Sequence, residues 1–147
     1  MAETLPECEF ESKKLILKLQ RTIEGRVDAI PPFVQDIMKI VEAMECAAGK
    51  ERVVEMALLE ALANAVVHGC ENDATKKVEC CVACDESRGM LIVIRDPGKG
   101  FDPASIPSPI VGQNLFSTHG RGIFLINQLV DEVRYKKGGT EIHMKIA

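Results

Sequence analysis

The 147-residue chain has 27% charged and 46% hydrophobic residues, the balance of one globular domain spanning 1–147. Its net charge of −4 argues against a generic nucleic-acid or acidic-membrane binder, and 4% aromatics with no Trp argue against a base-stacking platform. No apolar run approaches the ~20 residues that cross a bilayer, and Met1–Lys18 carries Glu7, Glu9, Glu11 and Lys13 where a signal-peptide core would lie, so a soluble, cytoplasmic protein is expected.

In chain order, alternation of Leu15, Leu17 and Leu19 with Lys14, Ile16 and Lys18 predicts a strand over Phe10–Gln20. A loop from Glu24-Gly25 leads to Pro31-Pro32, with Asp28 a candidate helix cap three residues before the pair. Phe33, Ile37, Ile40, Val41 and Met44 recur at helical steps, predicting a helix from Phe33 to about Ala48 that Gly49 ends. A second helix is expected from Lys50 to about Cys70. Strands over Lys76–Cys84 and Met90–Asp96 come next, joined by a turn through Asp85–Gly89. Pro97–His119 has little period and reads as a long functional loop. A helix from Arg121 to about Val130 and a strand pair, Glu132–Lys136 and Thr140–Ile146, turning at Lys137-Gly138-Gly139, complete an α/β sandwich with a mostly antiparallel sheet.

The six cysteines are Cys8, Cys46, Cys70, Cys80, Cys81 and Cys84. Without a secretion signal, free thiols are the expected state. Cys81 and Cys84 form a CxxC, but strand alternation puts Val78, Cys80, Val82 and Cys84 on one face and Glu79, Cys81 and Ala83 on the other. The CxxC pair would point apart, and no second ligand pair occurs at zinc spacing, so packed thiols outweigh a metal site.

Three stretches carry chemistry. The second helix is apolar almost continuously from Val53 to Val67, which predicts burial nearly all round. Glu60, Asn64 and His68 interrupt it at i, i+4 and i+8, within an arc of roughly 80°. A carboxylate in that company is costly without a partner or a task, and a carboxylate one turn from a carboxamide suits a polarised nucleophile beside a hydrated divalent ion. The alternative is a second solvated stripe. Arg95-Asp96-Pro97-Gly98-Lys99-Gly100-Phe101-Asp102 leaves a strand with glycines that permit close backbone approach to a ligand, although strand-to-loop glycines are common. Gly120-Arg121-Gly122-Ile123 opens a helix with amides suited to an anion, or is a tight loop-to-helix junction. Neither a Walker loop nor the Rossmann GxGxxG occurs.

Together, Glu60-x3-Asn64-Ala65-x2-His68-Gly69, Asp96-Pro97-Gly98-Lys99-Gly100-Phe101-Asp102 and Gly120-Arg121-Gly122-Ile123-Phe124-Leu125-Ile126 resemble the N box and the two glycine boxes of the GHKL (histidine-kinase-like) ATPase superfamily. Among its members the chain looks most like the stand-alone bacterial anti-sigma factor serine kinases. The resemblance runs from Glu60 to Gly139-Thr140-Glu141, and the first fifty residues carry no box. It implies an α+β, two-layer Bergerat-type ATP-binding fold with a mostly antiparallel mixed sheet and helices on one face. It further implies Glu60 as general base toward a serine hydroxyl or water, and Asn64 as the Mg²⁺ ligand. Asp96 would accept from the adenine amine with Thr140 in support, Gly98 and Gly100 would admit the nucleotide, and Gly120 and Gly122, with Arg121, would hold phosphates. His68 is expected to be structural or to act through its neighbours.

The function so implied is an ATP- and Mg²⁺-dependent serine kinase that phosphorylates an anti-anti-sigma (STAS-type) protein and sequesters a sigma factor, without contacting nucleic acid or membrane. The alternative is an ATP-gated protein-binding regulator with little turnover and another partner. Sensor histidine kinases need a phospho-accepting His in a dimerisation helix, which His68, His119 and His143 do not supply. Gyrase-type and chaperone-type relatives need transducer domains that 147 residues would not hold. His119, before the second glycine box, departs from the small residues usual there and bears on how the lid, Pro103–His119, closes. Strand Phe10–Gln20 is a candidate edge for pairing with a second copy.

Overall fold

The computed structural model describes residues 15–47, 49–85, 89–99 and 126–147. Its sheet has five strands, β1 (Leu15–Glu24), β2 (Lys77–Asp85), β3 (Gly89–Arg95), β4 (Glu132–Lys136) and β5 (Glu141–Ile146), in the order β1-β2-β3-β5-β4. Every neighbouring pair is antiparallel. Helices α1 (Ile30–Ala43) and α2 (Glu51–Asn64) join one face of that sheet in a single core, the α+β arrangement expected. Residues 126–129 are helical as well, within the span expected to run from Arg121 to Val130.

Strand β1 runs four residues past its expected end at Gln20. Leu17, Leu19, Arg21 and Ile23 pair with Cys84, Val82, Cys80 and Val78, so the core-facing period continues through Ile23 with an exposed Arg21 inside it. Gly25 ends the strand: its N–H donates to the Lys76 carbonyl at 2.9 Å, and a Cβ there would stand 2.5 Å from the Asp73 carbonyl oxygen. The predicted residues 10–14 lie outside the described set.

Helix α1 begins three residues before Phe33, with prolines in its first turn, where a missing N–H costs nothing. Asp28 does not cap it. The position before the helix is Ala29, and Asp28 accepts from the Arg26 guanidinium at 2.8 Å instead. Ile30, Val34, Ile37, Met38 and Val41 form the buried stripe. The helix ends in a six-to-one closure, with the Cys46 N–H donating to the Val41 carbonyl at 3.1 Å. Glu45 supplies the left-handed residue at φ 54°.

Helix α2 buries Val54, Ala57, Leu58, Ala61 and Leu62, but not its whole circumference. Met56 is exposed, and Leu59, Glu60, Ala63, Asn64 and Val67 are half-buried, so the expectation of burial all round is corrected. The reason is helical geometry: Met56, Leu59, Ala63 and Val67 share the stripe of Glu60, Asn64 and His68, making one side apolar yet open. Below the helices, Val78, Cys80, Val82 and Cys84 of β2 and Met90, Ile92 and Ile94 of β3 complete the core. On the opposite face Cys81, Ala83, Leu91 and Val93 form a second buried cluster, so alternation along β2 is as predicted. Cys46, Cys70, Cys80 and Cys84 are free thiols. Cys81, directed away from them, is disulfide-bonded, which corrects the expectation of reduced thiols throughout. No helix among the described residues is long and apolar enough to cross a membrane.

Candidate functional site

The open side of α2 carries Glu60 and Asn64 one turn apart, both half-buried. Neither side chain makes a hydrogen bond or ion pair among the described residues. Immediately after Asn64 the helix widens into a π-helical turn over Ala65–Gly69. The Cys70 N–H donates to the Ala65 carbonyl at 2.8 Å and the Asn72 N–H to the Val66 carbonyl at 3.0 Å. Glu71 and Asn72 then adopt left-handed φ of 54° and 60°, closing the helix without a glycine. A widened turn re-aims the residues on its C-terminal side. Here it leaves His68 exposed and drives Gly69 inward.

Gly69 meets Asp96. A Cβ on Gly69 would lie 2.3 Å from the Asp96 Cγ and 2.5 Å from its Oδ1. Asp96 is the first residue after β3, and its N–H donates to the Thr140 carbonyl at 2.9 Å, extending the ladder one step beyond the Arg95–Glu141 pair. Its Oδ1 accepts the Gly98 N–H at 2.8 Å, and Gly98 in turn abuts the Gly69 backbone. Asp96 is thus held through its backbone by Thr140 and through its carboxylate by the Gly98 N–H and the close approach of Gly69. Burial pushes its pKa up, and the Gly98 N–H offsets part of that rise. The neighbouring Cys70 thiol is also pushed up, first by burial and then by the Asp96 charge. On the sheet's other face, Arg95 pairs with Glu79, and Glu141, one residue past Thr140, meets the His143 Nε2 at 2.7 Å with both side chains 2% exposed.

Of the residues expected at the site, Gly98, Asp96 and Thr140 are brought together by direct contact. Thr140 supports Asp96 through its backbone carbonyl, while its hydroxyl donates to the Lys137 carbonyl at 2.9 Å. Glu60 and Asn64 lie on the helix whose continuation delivers Gly69 to Asp96. Gly100, Gly120, Arg121 and Gly122, and the expected lid Pro103–His119, lie outside the described residues. In the sequence Gly69 is legible as a motif letter but not as the cradle of Asp96. The polar run Glu71-Asn72-Asp73 directly after an apolar helix is the one signal there that the chain must turn sharply.

Among the described residues no group of three or more His, Cys, Asp or Glu is placed to hold a metal. Magnesium needs few protein oxygens beside a nucleotide's phosphates, so the half-buried carboxamide of Asn64, with no competing protein partner among the described residues, fits that demand.

Comparison with known proteins agrees with this geometry. No curated protein gives a significant match to the chain. The profile of the histidine kinase-like ATPase domain matches residues 23–146, which takes in α1, α2, the π-helical turn, Asp96 and Thr140. That match spans well over half of the sequence, and the chain belongs to the histidine kinase-like ATPase domain family.

Proposed function

We propose that the chain is an ATP-binding regulator in which nucleotide occupancy gates association with a protein partner. The observation that carries this reading is the Asp96 carboxylate, held by the Gly98 N–H and packed on Gly69. An acceptor fixed in that way matches the exocyclic amine of adenine and repels the carbonyl that guanine presents at the same position. Gly98 and Gly100 would admit the base, Gly120, Gly122 and Arg121 would hold phosphates, and Asn64 would hold Mg²⁺, which supplies charge neutralisation there. Calorimetric titration tests it. Wild type should bind Mg·ATP in preference to Mg·GTP, and Asp96→Ala should lose roughly tenfold to hundredfold in ATP affinity, the worth of one hydrogen bond to a charged group. Equal binding of GTP, or no ATP binding at millimolar concentration by folded protein, overturns the proposal.

A second reading is favoured by Glu60. It is half-buried on an apolar stripe, without a hydrogen bond or ion pair among the described residues, one turn before Asn64. A nucleotide-gated binder has no need of a base there; a serine kinase does. In that reading Glu60 takes the proton of a serine hydroxyl as its oxygen bonds to the γ-phosphorus and the bond to ADP breaks. The substrate is an anti-anti-sigma protein of STAS type, and a sigma factor is the sequestered partner, both by resemblance. Labelled γ-phosphate transfer to such a protein, lost in Glu60→Ala and Asn64→Ala, supports it. Transfer by Glu60→Ala at the wild-type rate refutes the assignment of the base. Strand β1 ends the sheet order, and pairing of that edge with a second copy belongs to the same proposal.

A further inference from the structure

At the end of the sheet away from Asp96, two free cysteines from distant segments meet. Cys46 is the residue that closes the C-terminus of α1, its position fixed by its own N–H bond to Val41 and by the left-handed Glu45 before it. Cys84 lies near the end of β2, paired with Leu17 on one side and Met90 on the other, its side chain on the helix-facing side. The Cys84 thiol donates to the Cys46 carbonyl oxygen at 3.6 Å, which brings the two residues into direct contact. Both are free, and their exposure differs: Cys46 is half-buried, whereas Cys84 is 1% exposed.

We propose that Cys46 and Cys84 form a reversible disulfide that staples the end of α1 to β2, making this corner a thiol-modification site responsive to low-molecular-weight disulfides. The half-buried Cys46 is the entry point. Its thiolate attacks glutathione disulfide, forming a mixed disulfide and releasing one glutathione. The Cys84 thiolate then attacks the Cys46 sulfur, the second glutathione leaves, and two thiols have been oxidised while one glutathione disulfide has been reduced to two thiols. Burial, reinforced by the Cys46 thiol, pushes the Cys84 thiol up to about 12, which makes the second exchange the slow one. The rival cysteines are poorly placed. Cys80 faces the same core four residues away, toward the other end of β2, and Cys81 faces the opposite side and is already disulfide-bonded. The site does not depend on nucleotide binding, since it lies where β3 begins and Asp96 lies where β3 ends.

The test is incubation of the full chain with oxidised glutathione, alkylation of remaining thiols in denaturant, and mass mapping of unreduced peptides. Wild type should yield a link between the peptides of Cys46 and Cys84, reversed by dithiothreitol, and oxidation should raise Tm by roughly 2–8 °C through closure of the intervening loop. The link should persist in Cys80→Ala and vanish in Cys46→Ser and Cys84→Ala. Cys46→Ser, at the half-buried position, serves as the control if Cys84→Ala folds poorly. A stable glutathione adduct on Cys46 with Cys84 still alkylated as a free thiol, or a link from Cys46 to Cys80, overturns the proposal.

Discussion

Replacing Gly69 with Ala tests whether Asp96 is held by shape. The added methyl would stand 2.3 Å from the Asp96 Cγ and 2.6 Å from its Cβ, so the carboxylate or the start of the loop beyond it must move by about 1 Å to restore ordinary contact. Asp96 cannot yield freely, because its N–H is tied to Thr140 at 2.9 Å and its Oδ1 to the Gly98 N–H at 2.8 Å. Overpacking of this kind costs about 1–3 kcal/mol, and on the proposed reading the displaced carboxylate loses its alignment with the adenine amine. We expect urea melts to show a stability loss of about 2 kcal/mol and calorimetry to show ATP affinity down by roughly tenfold or more. Gly49→Ala is the control: Gly49 has φ +83° with nothing within 4 Å of its Cβ position. It should cost about 1 kcal/mol of backbone strain and leave ATP affinity unchanged. Wild-type stability and ATP affinity in Gly69→Ala would refute the cradle.

Four other substitutions have expected outcomes. Because burial raises the Asp96 pKa in the folded state, its charged form opposes folding above that raised value, and the opposition fades as pH falls toward the ordinary carboxylate range. Asp96→Asn apo-protein should therefore melt higher than wild type at pH 7, with the difference shrinking on acidification to pH 4, while ATP binding weakens. His143→Phe removes the ring nitrogen that meets the buried Glu141 carboxylate, and denaturant unfolding should show a loss of about 2–3 kcal/mol. Glu45→Gly relieves a left-handed non-glycine at the end of α1 and should raise stability by about 0.5–1 kcal/mol in thermal melts. Leu58→Ala, at a fully buried position of α2, should cost about 3–5 kcal/mol in the same denaturant experiment.

Periodicity in the sequence locates both long helices and all five strands, although α1 stops about five residues short of its expected end and β1 runs four past its own. There an Arg21 on the core-facing side at the sheet edge interrupts the alternation that Ile23 resumes. The strand alternation of β2 separates Cys81 from Cys80 and Cys84 correctly because burial on both faces leaves the two-residue period intact. Two features of the site are hidden from such reasoning. The π-helical turn over Ala65–Gly69 depends on how the chain exits toward β2, through Glu71 and Asn72, and periodicity within the helix does not encode that. The half-open side of α2 is masked by its own composition, since Met56, Leu59, Ala63 and Val67 look like core residues until the packing shows which side is covered. The family resemblance singles out Thr140 as a residue, yet it is the backbone carbonyl there that holds Asp96, a contact available to any residue at that position.

The order β1-β2-β3-β5-β4 has a kinetic consequence. Strands β2 and β3 pair across a short connection, as do β4 and β5 through Lys137–Gly139, so each hairpin can form from local contacts. The β3–β5 seam joins residues roughly fifty positions apart, and the Asp96–Thr140 bond is its outermost rung. A chain with both hairpins formed but not yet zipped together lacks the corner where Asp96 meets Thr140. ATP, on the proposed reading, would select only molecules that have completed this long-range pairing, drawing late folders forward by mass action while leaving earlier species untouched.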